Sequence, residues 1–174
     1  NCYASAPIVA YDKTATTVDH TTSWAKIGLE FPFNEYRACW KMGGQPLVQR
    51  LGDKDYSWEA VQSLIPCMTA AGLLGYAYVC PDMIGGGQWT SFLGINSDEF
   101  DQTLIVRSAQ VHALMPMMQF SVAPWRILDP EHLEICRKYA QLHQKMGNYI
   151  LDFHLKEVPS LQLVFLSAGV PVLT

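Results

Sequence analysis

The chain has 174 residues, 49% of them hydrophobic and only 16% charged, with 12 Lys and Arg against 16 Asp and Glu for a net charge of −4. That charge content is well under the ~25% typical of a globular domain, so some of its faces are expected to be covered by protein beyond these residues. The scattered cations form no basic stripe, which excludes electrostatic capture of nucleic acid. The five cysteines, at positions 2, 39, 67, 80 and 136, show no CxxC spacing and are odd in number, so they encode neither a zinc site nor a disulfide framework. The most apolar stretch, Leu64 to Cys80, is broken by Pro66, Thr69, Gly72 and Gly75 and is shorter than the ~20 residues of a spanning helix.

Residues 1–30 are rich in Thr, Ser and Ala without a sustained period and read as a loop-rich segment with a helical turn near Trp24 to Ile27. From Phe33 through Trp40 a strand is expected, carrying Arg37 towards its end and broken off by Gly43-Gly44. A second strand covers Leu47 to Leu51. Trp58, Val61, Leu64, Ile65 and Met68 then recur by threes and fours, which predicts a helix from about Asp55 to Leu73, kinked at Pro66 and ended by Gly72 and Gly75.

Tyr76 to Cys80 is a short apolar strand, followed by the glycine-rich loop Pro81-Asp82-Met83-Ile84-Gly85-Gly86-Gly87. A polar loop through Asp98-Glu99 leads to a helix starting near Gln102, then to a fourth strand over Met115 to Phe120. Asp129-Pro130-Glu131 has the form of a helix start, with Asp129 as N-cap and Pro130 in the first turn. That helix is expected to reach Phe153 and to bury Leu133, Cys136, Ala140, His143 and Met146 along one stripe.

Short apolar strands alternating with helices require a parallel sheet. Arg37, Asp53, Asp82, Gln119 and Trp125 all fall at or just after strand C-termini, where α/β barrels keep their chemistry. Four strands do not close a barrel. With no initiator methionine and an apolar C-terminal run from Gly169 to Thr174, the chain is expected to be part of a larger domain.

Carboxyl groups at adjacent strand ends suit glycoside hydrolysis, in which one protonates the leaving oxygen while another attacks or activates water. Trp40, Trp89 and Trp125 can stack on sugar faces, and Arg37 can fix a hydroxyl or favour ionisation of a neighbouring carboxylate. Against this, Asp is among the commonest helix caps, so that Asp53 or Asp55 equally reads as a mere N-cap, and Pro81-Asp82 in a glycine-rich loop is an ordinary turn. His112, His143 and His154 have no partner at ligand spacing and read as core or solvated residues. Gly85-Gly86-Gly87 is followed by no Lys-Ser/Thr, which rules against a phosphate loop.

Several motifs occur in one order: Arg37, then Gly52-Asp53 with Trp58 beyond, then Gly75-Tyr-Ala-Tyr-Val-Cys-Pro-Asp82-Met-Ile-Gly-Gly86, then Arg107 ahead of Ala113-Leu-Met-Pro116. Together they resemble glycoside hydrolase family 31 over residues 30 to 174, and within it the myogenesis-regulating glycosidase branch through Arg50 to Trp58, Ser63 to Pro66, Pro81 to Gly86 and Met115 to Arg126. The resemblance implies a retaining α-glycosidase on a (β/α)8 barrel, without metal or organic cofactor. This chain would supply its C-terminal half, about strands five to eight, over residues 31–160, with residues 161–174 a final strand or the start of a β-domain. Asp53 would match the general acid/base, Arg37 a sugar-contacting arginine and Asp82 a carboxylate lining the sugar pocket. The nucleophilic aspartate would belong to the fourth strand, upstream of Asn1, so that this chain alone would be inactive.

Two departures bear on substrate. Gln119-Phe120-Ser121 stands where many α-glucosidases of the family carry Arg-Asn-His, and Arg50 stands where many carry an aromatic residue. Relatives sharing Gln-Phe-Ser and Pro-Trp resemble α-galactosidases, so the expected substrate is a terminal α-galactoside. An α-glucosidase, a non-catalytic sugar-binding protein on the same barrel, and an unrelated α/β enzyme using Asp53 and Asp82 as its pair remain alternatives. The expected partners are a carbohydrate, the remainder of the barrel and its flanking β-domains, with a homo-oligomer compatible with the sequence. By resemblance the compartment is the lumen of the secretory pathway, with a membrane anchor outside these residues compatible.

Overall fold

The computed structural model describes residues 13–31, 34–37, 47–88 and 100–155. The expected Gly43-Gly44 break, Trp40, Trp89, the loop at Asp98-Glu99, the His154 side chain and the segment 161–174 lie outside them. Helix α1 spans Thr17–Gly28, where the sequence had suggested a loop with a single helical turn. The signal lies in its cap rather than in its composition. Thr16 Oγ1 accepts from Asp19 N at 3.3 Å while Asp19 Oδ2 accepts from Thr16 N at 2.8 Å, closing a capping box. Thr21, Ala25 and Gly28 form its buried stripe. A side chain at position 28 would collide with the Tyr36 ring, so glycine lets α1 seat against the first strand, and Trp24 meets the same ring edge-on at 6.4 Å.

Strands β1 (Glu35–Tyr36), β2 (Val48–Arg50) and β3 (Tyr78–Cys80) are all parallel and lie in the order β1-β2-β3. Glu35 registers with Val48, and Arg50 with Cys80. The expected strand over Met115 to Phe120 contracts to a parallel bridge between Ile84 and Phe120, supported by Ile84 N donating to Gln119 O at 2.7 Å and Ser121 N to Ile84 O at 3.2 Å. Residues 113–116 are a turn and bend closing α3 instead, and Pro116 has no N–H to offer a ladder. Even so, the 119–121 segment continues the spatial order beyond β3. Neighbours in sequence are neighbours in space, which is how strand and helix units wind in one direction.

Helix α2 (Trp58–Leu73) is capped by Ser57, whose hydroxyl accepts from Ala60 N at 3.2 Å. Neither Asp53 nor Asp55 caps it. It runs on through Pro66 to Leu73, keeps Gly72 buried within its last turn, and is closed by Leu74 with Gly75 at φ 90°, a left-handed conformation that glycine adopts without strain. Gly75 therefore ends the helix and Gly72 does not. Ser57→Ala removes the cap and is expected to destabilise by about 1 kcal/mol in chemical denaturation; no loss would show that the first turn is held by its packing alone.

Helix α3 (Gln102–His112) starts on Asp101, which accepts from Leu104 N at 3.1 Å. Tyr56 Oη donates to Asp101 O at 2.6 Å and Trp58 Nε1 to Asp101 Oδ2 at 3.0 Å, tying the start of α3 to that of α2. A short 3-10 turn at Pro124–Arg126 precedes α4 (Pro130–Leu155), and Asp129 accepts from His132 N at 2.9 Å as its cap. On α4, Cys136 is buried while Leu133, Ala140, His143 and Met146 are half-buried, as the stripe required.

Leu64, Met68, Ala71, Val79 and Met115 join α2 to the sheet in one core. Ile84, Ile105, Val106, Ala109, Leu128 and Cys136 join α3 and α4 to the strand following β3 in another. With helices covering one face of sequential parallel strands, the α/β reading holds. The strand C-termini are left to present polar side chains.

Candidate active site

Charged side chains lie along the short ladders and just beyond their ends. β1 carries Glu35 and, one residue beyond the strand, Arg37; β2 ends on Arg50 and leads through Gly52 to Asp53; β3 leads through Pro81 to Asp82. Parallel register places all of these on one edge, so residues far apart in sequence become neighbours. Arg37 Nη2 is in an ion pair with Asp53 Oδ1 and lies 3.9 Å from Asp82 Oδ1. Arg50 Nη2 donates to Asp82 Oδ1 at 2.7 Å, and its Nη1 donates to Glu35 Oε1 at 2.9 Å and to Gln119 Oε1 at 2.6 Å. Gln119 Nε2 in turn donates to Glu35 Oε2 at 3.2 Å. The result is an alternating series Asp53, Arg37, Asp82, Arg50, Glu35.

Exposure separates the roles within this series. The Asp53 side chain is 27% exposed and that of Asp82 only 1%. Asp82 is also saturated, since its Oδ2 accepts from Lys54 N at 2.7 Å and from Gly87 N at 3.0 Å. A buried carboxylate is tolerated only with such a set of donors. Its backbone φ is 90°, a conformation that costs a residue with a side chain of order 1–3 kcal/mol and is typical of functional sites. Five residues on, the same loop requires glycine: a methyl group at Gly87 would lie 2.7 and 2.8 Å from the two Asp82 carboxylate oxygens and 3.0 Å from Asp53 Oδ1. Both carboxylates thus border one point in space.

Arg50 is buried at the end of β2, between the apolar Val48 and Leu51. Burial alone would lower its pKa, but the Glu35 hydrogen bond and the surrounding negative charges outweigh it and the pKa is raised, so the guanidinium remains charged. Burial pushes the Cys80 thiol, 3.9 Å from Arg50 Nη1, up to about 11. It stays a neutral thiol at physiological pH.

Behind the site, His112 is buried, its Nε2 lying 3.2 Å from Asp82 O and its Nδ1 2.7 Å from Ser108 O. It props the strained Asp82 backbone. Burial lowers its pKa below 6.5, only partly offset by the two carbonyls. Because the folded value lies below the unfolded one, the associated stability is fully present above about pH 6.5 and is lost as pH falls towards the folded value. We therefore expect the thermal midpoint of the complete protein to fall on acidification from pH 7 to 5, more steeply than in His112→Gln. Equal slopes would show that His112 is not the titrating group.

Of the residues singled out from sequence, the structure brings Arg37, Asp53, Asp82 and Gln119 into one cluster. Trp125 is not held in it; the residue is 73% exposed on the 3-10 turn. Glu35 was missed, although Arg50 gave a signal, since a cation in a buried strand demands an anion nearby. Among the described residues no group of His, Cys, Asp and Glu is placed to hold a metal ion.

Carboxylates and arginines gathered at the C-terminal ends of sequential parallel strands, with helices behind them, are the arrangement of an α/β-barrel active face. The chain belongs to glycoside hydrolase family 31: residues 17–153 match that family's TIM-barrel domain. It is 37% identical over 121 residues to the myogenesis-regulating glycosidase of Mus musculus, an alignment covering 67% of this chain and 17% of that protein. It is also 33% identical over 90 residues to the SITS-binding protein of Tetronarce californica, covering 52% of this chain and 12% of that one. The chain therefore spans less than a fifth of the length of either relative.

Proposed function

We propose that the chain is the C-terminal half of a family 31 barrel, strands five to eight, in a retaining α-glycosidase that removes terminal α-galactosyl groups. Asp53 is its general acid/base. The observation that carries this reading is the state of Asp53: it stands at a strand end, caps no helix, keeps 27% of its side chain exposed and has an arginine as ion-pair partner. In the first half-reaction its carboxyl donates a proton to the departing glycosidic oxygen while a nucleophilic carboxylate, supplied by the preceding barrel strand outside this chain, attacks the anomeric carbon. In the second, the Asp53 carboxylate takes a proton from water as water displaces the sugar from the nucleophilic carboxylate. Arg37 stabilises the anionic form between the two steps and offers donors to a sugar hydroxyl. Gln119 supplies an amide at the rim, Asp82 lines the pocket floor, and the exposed Trp125 provides an apolar face for stacking.

The galactoside preference rests on Gln119-Phe120-Ser121. A site arranged for one hydroxyl pattern discriminates strongly against an epimer that leaves its polar groups unpaired. Assayed on paired aryl α-galactosides and α-glucosides, the complete protein is expected to prefer the galactoside by roughly 10²-fold or more in kcat/KM. A glucoside preference would overturn the substrate. A second reading, a binding protein on the same barrel, has the SITS-binding relative in its favour; turnover of neither substrate would support it.

A further inference from the structure

The series of alternating charges has a consequence for the acid/base, and it rests on the reading of Asp53 given above. Arg37 lies between two carboxylates, in contact with Asp53 and 3.9 Å from Asp82 Oδ1. Of the two, Asp82 is the more deeply buried, so that, left unpaired, it would attract a cation more strongly than Asp53 does, because solvent screens it less. What prevents this is Arg50, which occupies the same oxygen, Asp82 Oδ1, at 2.7 Å. Arg50 is itself fixed by Glu35 at 2.9 Å and Gln119 at 2.6 Å, so it cannot swing away without breaking contacts to two other strand ends.

We propose that Arg50 is a positioning residue for the acid/base: by satisfying Asp82 it leaves Arg37 to Asp53. Among the described residues, Arg37 from the end of β1 pairs with Asp53 and Asp82 from the loop after β3 borders it across Gly87, Lys54 and Asp55 follow it in its own loop, and Arg50 and then Glu35 stand further along the series. Lys54 Nζ is engaged with Gly52 O at 2.9 Å. The buried Arg50 Nε has no hydrogen-bond partner among the described residues, which is consistent with a side chain placed by the demands of its two terminal nitrogens.

The test reads Asp53 directly and does not depend on turnover. Carbodiimide coupling of glycine ethyl ester requires a protonated carboxyl, and trypsin releases Leu51-Gly52-Asp53-Lys54, in which Asp53 is the sole side-chain acid. In Arg50→Met the cleavage at 50 is lost, but the longer peptide from Met42 contains no other acid. With the complete protein, the pH midpoint of coupling is expected to rise by about one pH unit in Arg50→Met, because loss of a cation at contact favours the protonated carboxyl.

Asp82→Asn removes the competing charge and keeps an acceptor for Lys54 N and Gly87 N; its midpoint is expected below that of the parent. The double variant, which leaves no unpaired charge at either position, is expected to return close to the parent value. An unchanged midpoint in Arg50→Met, or in Asp82→Asn should the first variant fail to fold, overturns the proposal. The basic limb of the pH dependence of kcat/KM on an aryl α-galactoside is expected to move with the coupling midpoint. Movement of the midpoint without the limb would leave the role of Arg50 standing and overturn the acid/base reading of Asp53.

Discussion

Asp53→Asn in the complete protein is expected to lower kcat/KM for an α-galactoside with a sugar or alkyl leaving group by roughly 10²–10⁴-fold, the range supplied by a positioned general acid. The same substitution should have much less effect on glycosylation by an aryl galactoside, because a phenolate needs little protonation to depart. The folded state should be almost unaffected. Asp53 caps no helix, its side chain is 27% exposed, and the amide of asparagine occupies nearly the same volume. Equal losses on both classes of substrate, or a collapse in stability, would mean that the residue holds the loop together instead.

Asp82→Ala has the opposite profile. It strips the buried Arg50 guanidinium of one of its anions and leaves Lys54 N and Gly87 N without their shared acceptor. Removing one partner of a buried, hydrogen-bonded ion pair is expected to destabilise by about 3–5 kcal/mol, seen as a shift in the midpoint of chemical denaturation. Asp82→Asn retains an acceptor and tolerates the left-handed backbone better than most residues, so its loss should be clearly smaller. A change of less than about 1 kcal/mol in Asp82→Ala would show that water enters and solvates Arg50, and that the series of charges is not sealed from solvent.

These contrasting expectations for two aspartates in similar sequence settings show where the sequence is legible and where it is not. Helices α2, α3 and α4 announce themselves through apolar spacing, and α4 also through Asp129 as its cap. Helix α1 does not, because Thr17, Thr21, Thr22 and Ser23 dilute its apolar stripe and its start depends on a reciprocal Thr16–Asp19 contact. The strands are short, and the expected one at Met115 to Phe120 is mostly a turn and an irregular segment, with only Phe120 bridging Ile84. Apolar runs of that length have no period by which to tell the two apart.

At the site, the chain positions of Arg37, Asp53 and Asp82 could be read as strand ends. Their division of labour could not, because it depends on burial. Whether Asp53 was a cap was decided by Ser57, four residues on, which takes that duty. Glu35 was invisible because its partner Arg50 lies fifteen residues away and is reached through parallel register, a relation with no local trace in sequence. The charge of Arg50 among Leu47, Val48 and Leu51 was the one sign that such a partner had to exist.

The most direct test of the account is the product formed when Asp53→Ala, in the complete protein, is given an aryl α-galactoside and azide. If Asp53 is the acid/base of a retaining enzyme, the galactosyl-enzyme intermediate still forms, azide replaces the unassisted water, and the product is α-galactosyl azide, with activity restored in proportion to azide. Formation of β-galactosyl azide would make Asp53 the nucleophile, and the absence of any rescue in a folded variant that still binds galactoside would remove it from the chemistry altogether.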